Sequence, residues 1–167
     1  IFITGIGTGI GKTVVSAIVT EALEADYWKP VQAGFSGGTD TNWVKERISN
    51  PKTCCHKELY KLKLAASPHI AAREEGQVIS IDSIIQAIPQ TSAHLVVEGA
   101  GGLLVPLNDH EFVLDLAQAM QAKLILVSRN YLGSINHSLL TAEICRIRGI
   151  QVIGWVFNDQ YGSYETE

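Results

Sequence analysis

Close to the start of the chain, Gly5-Ile6-Gly7-Thr8-Gly9-Ile10-Gly11-Lys12-Thr13 separates an apolar run at 1–4 from a helix-like stretch at 12–24. Few other patterns restrict a fold so strongly. Glycines let the backbone turn with its N–H groups pointing inward, and a helix N-terminus directly behind them adds partial positive charge. The lysine then reaches the β- and γ-phosphates of a bound nucleotide, and the threonine hydroxyl is placed for Mg²⁺. The spacing is Gly, five residues, then Gly-Lys-Thr, one residue longer than the usual four. Two rivals are weaker. A plain glycine turn leaves the strand–loop–helix setting unexplained. A dinucleotide fingerprint would need glycine at its sixth place, where Ile10 stands, and has no use for Lys12-Thr13.

The rest of the chain alternates in the same way. Strand-like runs are expected at 1–4, 27–29, 95–98, 124–128 and 152–158, and helices at 12–24, 81–88, 113–119 and 135–148. In the first helix Val14, Val15, Ile18, Val19 and Leu23 are expected to face inward. Central strands that are apolar throughout suit a sheet covered on both faces. The expected fold class is α/β, a single doubly wound domain over residues 1–167, with a mostly parallel sheet and helices on both faces. Residues 34–68, with Gly37-Gly38, Pro51 and many polar side chains, are the least regular stretch, and a loop that long usually has a function.

With 46% hydrophobic and 18% charged residues, the chain has material for a real core. A net charge of −4 argues against nucleic acid as the main partner. No apolar run approaches a membrane span, and the opening residues do not resemble a secretory leader, so a cytoplasmic protein is expected. The chain starts within a strand without methionine and stops soon after an apolar run, so it reads as a fragment. Cys54, Cys55 and Cys145 are odd in number and lack a C-x-x-C spacing, which favours ordinary thiols over a disulfide framework; redox sensitivity of the adjacent pair is the rival reading.

Glu98 ends the run Leu95-Val96-Val97, where a parallel sheet gathers its ligands and where an unpaired carboxylate would face an apolar interior. Asp40 lies in Gly37-Gly38-Thr39-Asp40-Thr41 and has two readings, a helix N-cap or a metal ligand. Thr13, Asp40 and Glu98 together would offer Mg²⁺ one hydroxyl and two carboxylates, leaving room for phosphate oxygens and water. Lys29, in Trp28-Lys29-Pro30-Val31, closes a short strand and points toward the crevice of Lys12, or else is a solvated surface lysine. Two lysines suit phosphoryl transfer, in which negative charge builds on the moving group and its acceptor. Ser67, ahead of Pro68-His69, is a candidate helix cap.

Taken together, these segments resemble the dethiobiotin synthetase family, ATP-dependent cyclo-ligases of biotin synthesis. The resemblance covers nearly the whole chain and rests on the long phosphate loop, Trp28-Lys29-Pro30-Val31, Thr39-Asp40, Ser67-Pro68-His69, Val97-Glu98-Gly99-Ala100-Gly101-Gly102, Leu132-Gly133-Ser134-Ile135-Asn136-His137 and Gly154-Trp155-Val156-Phe157-Asn158-Asp159. It implies that 7,8-diaminopelargonate reacts with CO₂ to give a carbamate, that ATP phosphorylates the carbamate, and that the second amine closes a cyclic urea with loss of phosphate. Lys12 and Lys29 would then be catalytic. Gly9, Ile10, Gly11, Lys12, Thr13, Val14, Asp40, Glu98, Gly99, Ala100, Gly101, Asn158 and Asp159 would bind the nucleotide, with Asn158 on the adenine edge. Thr8, Ala33, Gly133, Ser134, Ile135 and Asn136 would bind substrate, with Thr8 at the carbamate. The resemblance also implies a homodimer in which Gly133 to Asn136 reach the partner's substrate carboxylate, and a further C-terminal strand and base-covering loop that this chain does not contain. Gly7 and Gly9 stand where some members carry acids, and Ala33 where others carry a hydroxyl. Two rivals share the scaffold: a partitioning or division-site switch ATPase, which would carry a lysine early in the loop where Gly5-Ile6-Gly7 stand, and a nucleotide-binding module without turnover.

Overall fold

The computed structural model describes residues 1–159. In chain order the elements are β1 (Phe2–Gly5), α1 (Lys12–Ala22), β2 (Asp26–Trp28), β3 (Val31–Ala33), α2 (Asp40–Lys45), β4 (Cys55–His56), β5 (Tyr60–Leu62), α3 (Pro68–Glu74), α4 (Ile81–Gln86), β6 (Leu95–Glu98), α5 (Val113–Ala119), β7 (Leu124–Arg129), α6 (Ser134–Ile147) and β8 (Val152–Asn158). Six strands form one sheet in the order β4-β2-β6-β1-β7-β8, and β3 pairs with β5 in a separate ribbon. Among the described residues every pairing between these strands is parallel. The expected doubly wound domain is what forms. The first strand of the chain lies inside the sheet, with Phe2 opposite Val97 of β6 on one side and Leu124 of β7 on the other.

The period of two along each strand divides the core into two layers. Phe2, Trp28, Val97 and Leu126 face one layer, which α3, α4 and α5 close with Ala71, Ile84, Val113 and Leu114. Ile3, Tyr27, Val96 and Val127 face the other, closed by Val15 and Ala17 of α1 and Val44 of α2. Both faces of the central strands are therefore dry, which accounts for their unbroken apolar sequence.

Two expectations need correction. In α1 the buried stripe is Lys12, Val15, Ser16, Ala17 and Thr20, whereas Val14, Ile18 and Leu23 are exposed. Small side chains at 16, 17 and 20 let the helix lie close on the sheet, and that approach outweighs the larger hydrophobic residues in choosing the face. The irregular stretch at 34–68 is also more ordered than its composition suggests, since it contains α2, β4 and β5. Each of these spans six residues or fewer, too short to show a periodicity.

Candidate active site

The loop after β1 turns through Gly9 and Gly11, both at positive φ (69° and 100°), and Gly11 caps α1. A Cβ at Gly11 would stand 2.6 Å from the side-chain nitrogen of Asn158, which donates to the Ile10 carbonyl at 3.0 Å. The end of β8 thus braces the loop from outside. Lys12 is buried, and its Nζ donates to the Gly7 carbonyl at 2.5 Å, curling the side chain back across the loop. Burial and, to a lesser degree, the Lys29 charge lower the Lys12 ammonium to about 8, against a partial upward pull from Glu98 and Asp40.

Glu98, 1% exposed at the end of β6, is the hub of the site. Its Oε1 accepts from the Thr13 hydroxyl and from Lys29 Nζ, each at 2.9 Å, and its Oε2 accepts from the Tyr27 hydroxyl at 2.9 Å. Lys29, one residue beyond β2 rather than at its end, also donates to Asp40 Oδ2 at 2.5 Å. Burial by itself would lower the Lys29 ammonium, but the Glu98 and Asp40 carboxylates reverse this and hold it above the ordinary lysine range. Lys29 is 5% exposed, so the surface-lysine reading fails. Of the two readings of Asp40, the cap also fails: Thr39 caps α2, accepting from the Asn42 N–H at 3.1 Å, and Asp40 is left free to meet Lys29. Gln32 holds that turn, accepting from the Asp40 N–H at 3.2 Å and donating to the Gly34 carbonyl at 2.8 Å.

These groups line an open cavity of about 780 Å³. Of the residues singled out in the sequence, Thr8, Gly9, Gly11, Lys12, Thr13, Val14, Lys29, Ala33, Asp40, Ser67, Glu98, Ala100 and Gly101 lie on its wall. Ser67 precedes α3 but makes no side-chain cap bond; its hydroxyl lies 3.0 Å from Nδ1 of His69. Gly99 is packed beneath the wall, where a Cβ would stand 2.8 Å from the Phe2 ring. Gly133, Ser134, Ile135 and Asn136 are not on that wall; they begin α6 beyond β7. Asp159 accepts from the Asn130 amide at 2.8 Å. Tyr27, Gln32 and Trp43 are additions that residue types alone did not reveal. Tyr27 in a strand reads as core, and only the pairing of β2 with β6 brings its hydroxyl to Glu98. Burial, then the Glu98 charge, raises that hydroxyl well above the ordinary tyrosine range.

Among the described residues no group of three or more His, Cys, Asp or Glu side chains converges into a metal cage. Thr13, Asp40 and Glu98 present one hydroxyl and two carboxylates, all hard oxygen donors. That set fits Mg²⁺, which is normally bound by one or two carboxylates together with water and substrate phosphates. It does not fit a soft metal.

A phosphate loop at an inner strand of a parallel sheet, with a buried acid ending the next strand, places the molecule among the P-loop nucleotide-binding proteins. A family model described as "AAA domain" matches residues 1–166. The kinase domain of Escherichia coli tyrosine kinase ETK aligns with a TM-score of 0.54 at 14% identity, covering 99% of this chain and 70% of that one, a likeness of fold. The sequence relatives are much nearer. The ATP-dependent dethiobiotin synthetase BioD of Cytophaga hutchinsonii is 53% identical over 158 residues, covering 94% of this chain and 75% of its own. Proteins of the same name from Christiangramia forsetii and Rhodopseudomonas palustris (strain BisB5) are 52% and 46% identical, with 79% and 73% of their lengths covered. The chain belongs to the ATP-dependent dethiobiotin synthetase family.

Proposed function

We propose that this chain carries out the ATP-dependent carboxylation and ring closure of 7,8-diaminopelargonate with CO₂, giving dethiobiotin, ADP and phosphate. The observation that carries this is the arrangement of four buried or half-buried charges, Lys12 and Lys29 against Asp40 and Glu98, on one cavity wall. A hydrolase needs a side chain that deprotonates or positions water, and Gln32 on this wall is engaged by the Asp40 N–H and the Gly34 carbonyl. Among the described residues of the wall there is no histidine, and both carboxylates are bonded to Lys29. The site is therefore suited to transferring phosphate to a nucleophile that arrives already anionic, as a carbamate does.

In this reading the loop amides and Lys12 hold the β- and γ-phosphates. Lys29, kept charged by its two carboxylates, screens the repulsion between the carbamate and the γ-phosphate, the contact that strengthens as charge shifts in transfer. Thr8 lies on the same wall as Lys29 and is assigned to the carbamate. Thr13, Asp40 and Glu98 would hold Mg²⁺, which supplies charge neutralisation for the nucleotide phosphates. Tyr27 holds the Glu98 carboxylate in place from below. After transfer the second amine attacks the mixed anhydride, the C–O bond to phosphate breaks, and phosphate leaves as the cyclic urea closes.

The substrate carries a carboxylate at the far end of an apolar chain. Gly133 to Asn136 at the N-terminus of α6 lie away from the cavity wall of their own chain, so we assign them to the carboxylate of a substrate bound in a second copy. The exposed Ile135, Leu139 and Leu140 of α6 supply apolar surface for that contact.

Phosphate release from Mg·ATP tests the reading directly. Turnover should require both the diamine and bicarbonate. Equal release without the diamine, or dependence on DNA instead, would assign the molecule to the switch ATPases.

A further inference from the structure

A second cluster of reactive side chains lies apart from the cavity, at the outer edge of the sheet. Asp26 opens β2, whereas Lys29 follows its end, and none of Asp26, Cys54 or His56 lines the cavity. Cys54 and His56 are two residues apart on an extended segment and share a face. The pairing of Trp28 with His56 and of Tyr27 with Cys55 brings Asp26 alongside them. Asp26 Oδ1 accepts the Cys54 N–H at 2.8 Å, and Oδ2 lies 3.0 Å from His56 Nε2. That contact places the ring proton on Nε2 and leaves Nδ1 as an acceptor, 3.7 Å from the Cys54 sulfur. Thiol, imidazole and carboxylate thus stand in the order nucleophile, base and orienting group.

We propose that Cys54 is a covalent modification site for low-molecular-weight disulfides, with His56 as its base and Asp26 as the residue that positions His56. The thiol proton passes to Nδ1, the sulfur attacks one sulfur of R–S–S–R, and the S–S bond breaks. The leaving RS⁻ takes the proton as RSH, and Cys54–S–S–R remains. Selectivity comes from the surroundings. Cys54 is exposed, while Cys55 is partly buried and Cys145 buried. Burial, then the neighbouring Cys54, pushes the Cys55 thiol up to about 11, and burial raises Cys145 as well. The ionisable groups around the cluster are Asp26 on β2, Cys55 and His56 on β4, and Lys45 of α2, whose charge acts on Cys55.

The test is the reaction of the full chain with 2,2′-dithiodipyridine, followed by release of the pyridinethione and mapped by peptide mass. Modification should fall on Cys54 and vanish in Cys54→Ser. His56→Gln should slow it by about tenfold or more. The parent rate should depend on pH less steeply than the His56→Gln rate, because Nδ1 of His56 lies next to the Cys54 sulfur to take its proton. Asp26→Asn, which keeps the shape but not the charge, should slow the parent rate less than His56→Gln does, and it serves alone if that variant unfolds. A parent rate and pH profile shared by both variants at unchanged melting temperature would reduce Cys54 to a merely exposed thiol and overturn the proposal. So would first modification at Cys55.

Discussion

Between β4 and β1 the sheet buries charge, and from β7 to β8 it exposes apolar surface. In the first region Lys12, Lys29 and Glu98 are each 6% exposed or less, and every charge has an opposite partner or a backbone acceptor. In the second, Leu139 and Leu140 of α6 are 65% and 60% exposed, and Ile153 and Phe157 of β8 are 46% and 52% exposed. Burying ions is tolerable only where geometry compensates them closely, and here Lys12, Lys29 and Glu98 find their partners within the same chain. Exposing contiguous hydrophobic side chains is the mark of a surface that meets something else. In the proposed reading the contrast separates the reacting end of the substrate, built by one copy, from its carboxylate end, assigned to a second copy.

The sharpest way to break that contrast is Lys29→Ala. It should lower kcat by about two orders of magnitude or more, the scale of losing a contact that forms in the transition state. It should also cost roughly 3 kcal/mol of stability, because Glu98 is left buried without its cation. Phosphate release and a thermal melt read both, and near-normal turnover would show the charged region to be a structural ion pair.

The assembly half of the contrast is tested by mixing. Lys29→Ala and Asn136→Ala, each impaired alone, should regain about a quarter of parental activity once subunits exchange, since about half the dimers are mixed and each mixed dimer has one intact site. No recovery despite verified exchange would place both residues in one chain's site.

A smaller effect is expected from Tyr27→Phe. Losing one hydrogen bond to a charged carboxylate should cost about 1.5 to 3 kcal/mol of stability and lower kcat by several-fold, with ATP affinity nearly unchanged because Tyr27 reaches the site only through Glu98. Unchanged stability would show that Glu98 needs no support from below.

The smallest effect is a proton. Lys12 in the free protein is lowered to about 8, so above that pH part of the population is neutral, and bound phosphates should restore the charge. ATP binding at about pH 8.5 should therefore take up a fraction of a proton, measurable by calorimetry in buffers of different ionisation enthalpy. The same shift means that stability rises with pH between about 8 and 10.5, where the unfolded chain holds the proton more tightly than the folded one.

The sheet and the phosphate loop were legible because glycine spacing and unbroken apolar runs each have a direct physical cause. Leu95–Glu98, Val113–Ala119 and Val152–Asn158 form with the bounds their composition suggests. Lys29 and Glu98 could be singled out because a charge at the end of an apolar strand calls for a partner. What that partner was could not be seen, since Lys29 meets Glu98 across 69 positions of sequence. Tyr27 was hidden for the opposite reason: an aromatic residue in a strand satisfies every local rule without its hydroxyl. In α1 side-chain size alone points to one face, whereas the close approach allowed by Ser16, Ala17 and Thr20 selects another.

The pairing of β1 has a consequence for how the chain comes off the ribosome. Phe2 and its neighbours are made well before the strands that flank them, at Val97 and Leu124. At a synthesis rate of roughly 5–20 residues per second, the nascent phosphate-loop strand waits on the order of 5 to 20 seconds for its first neighbour. During that time Phe2 and Ile3, fully buried in the finished fold, lack the two strands that flank them. Destabilising changes in β6 and β7 should therefore reduce the yield of soluble protein in cells more than they reduce the stability of the purified molecule.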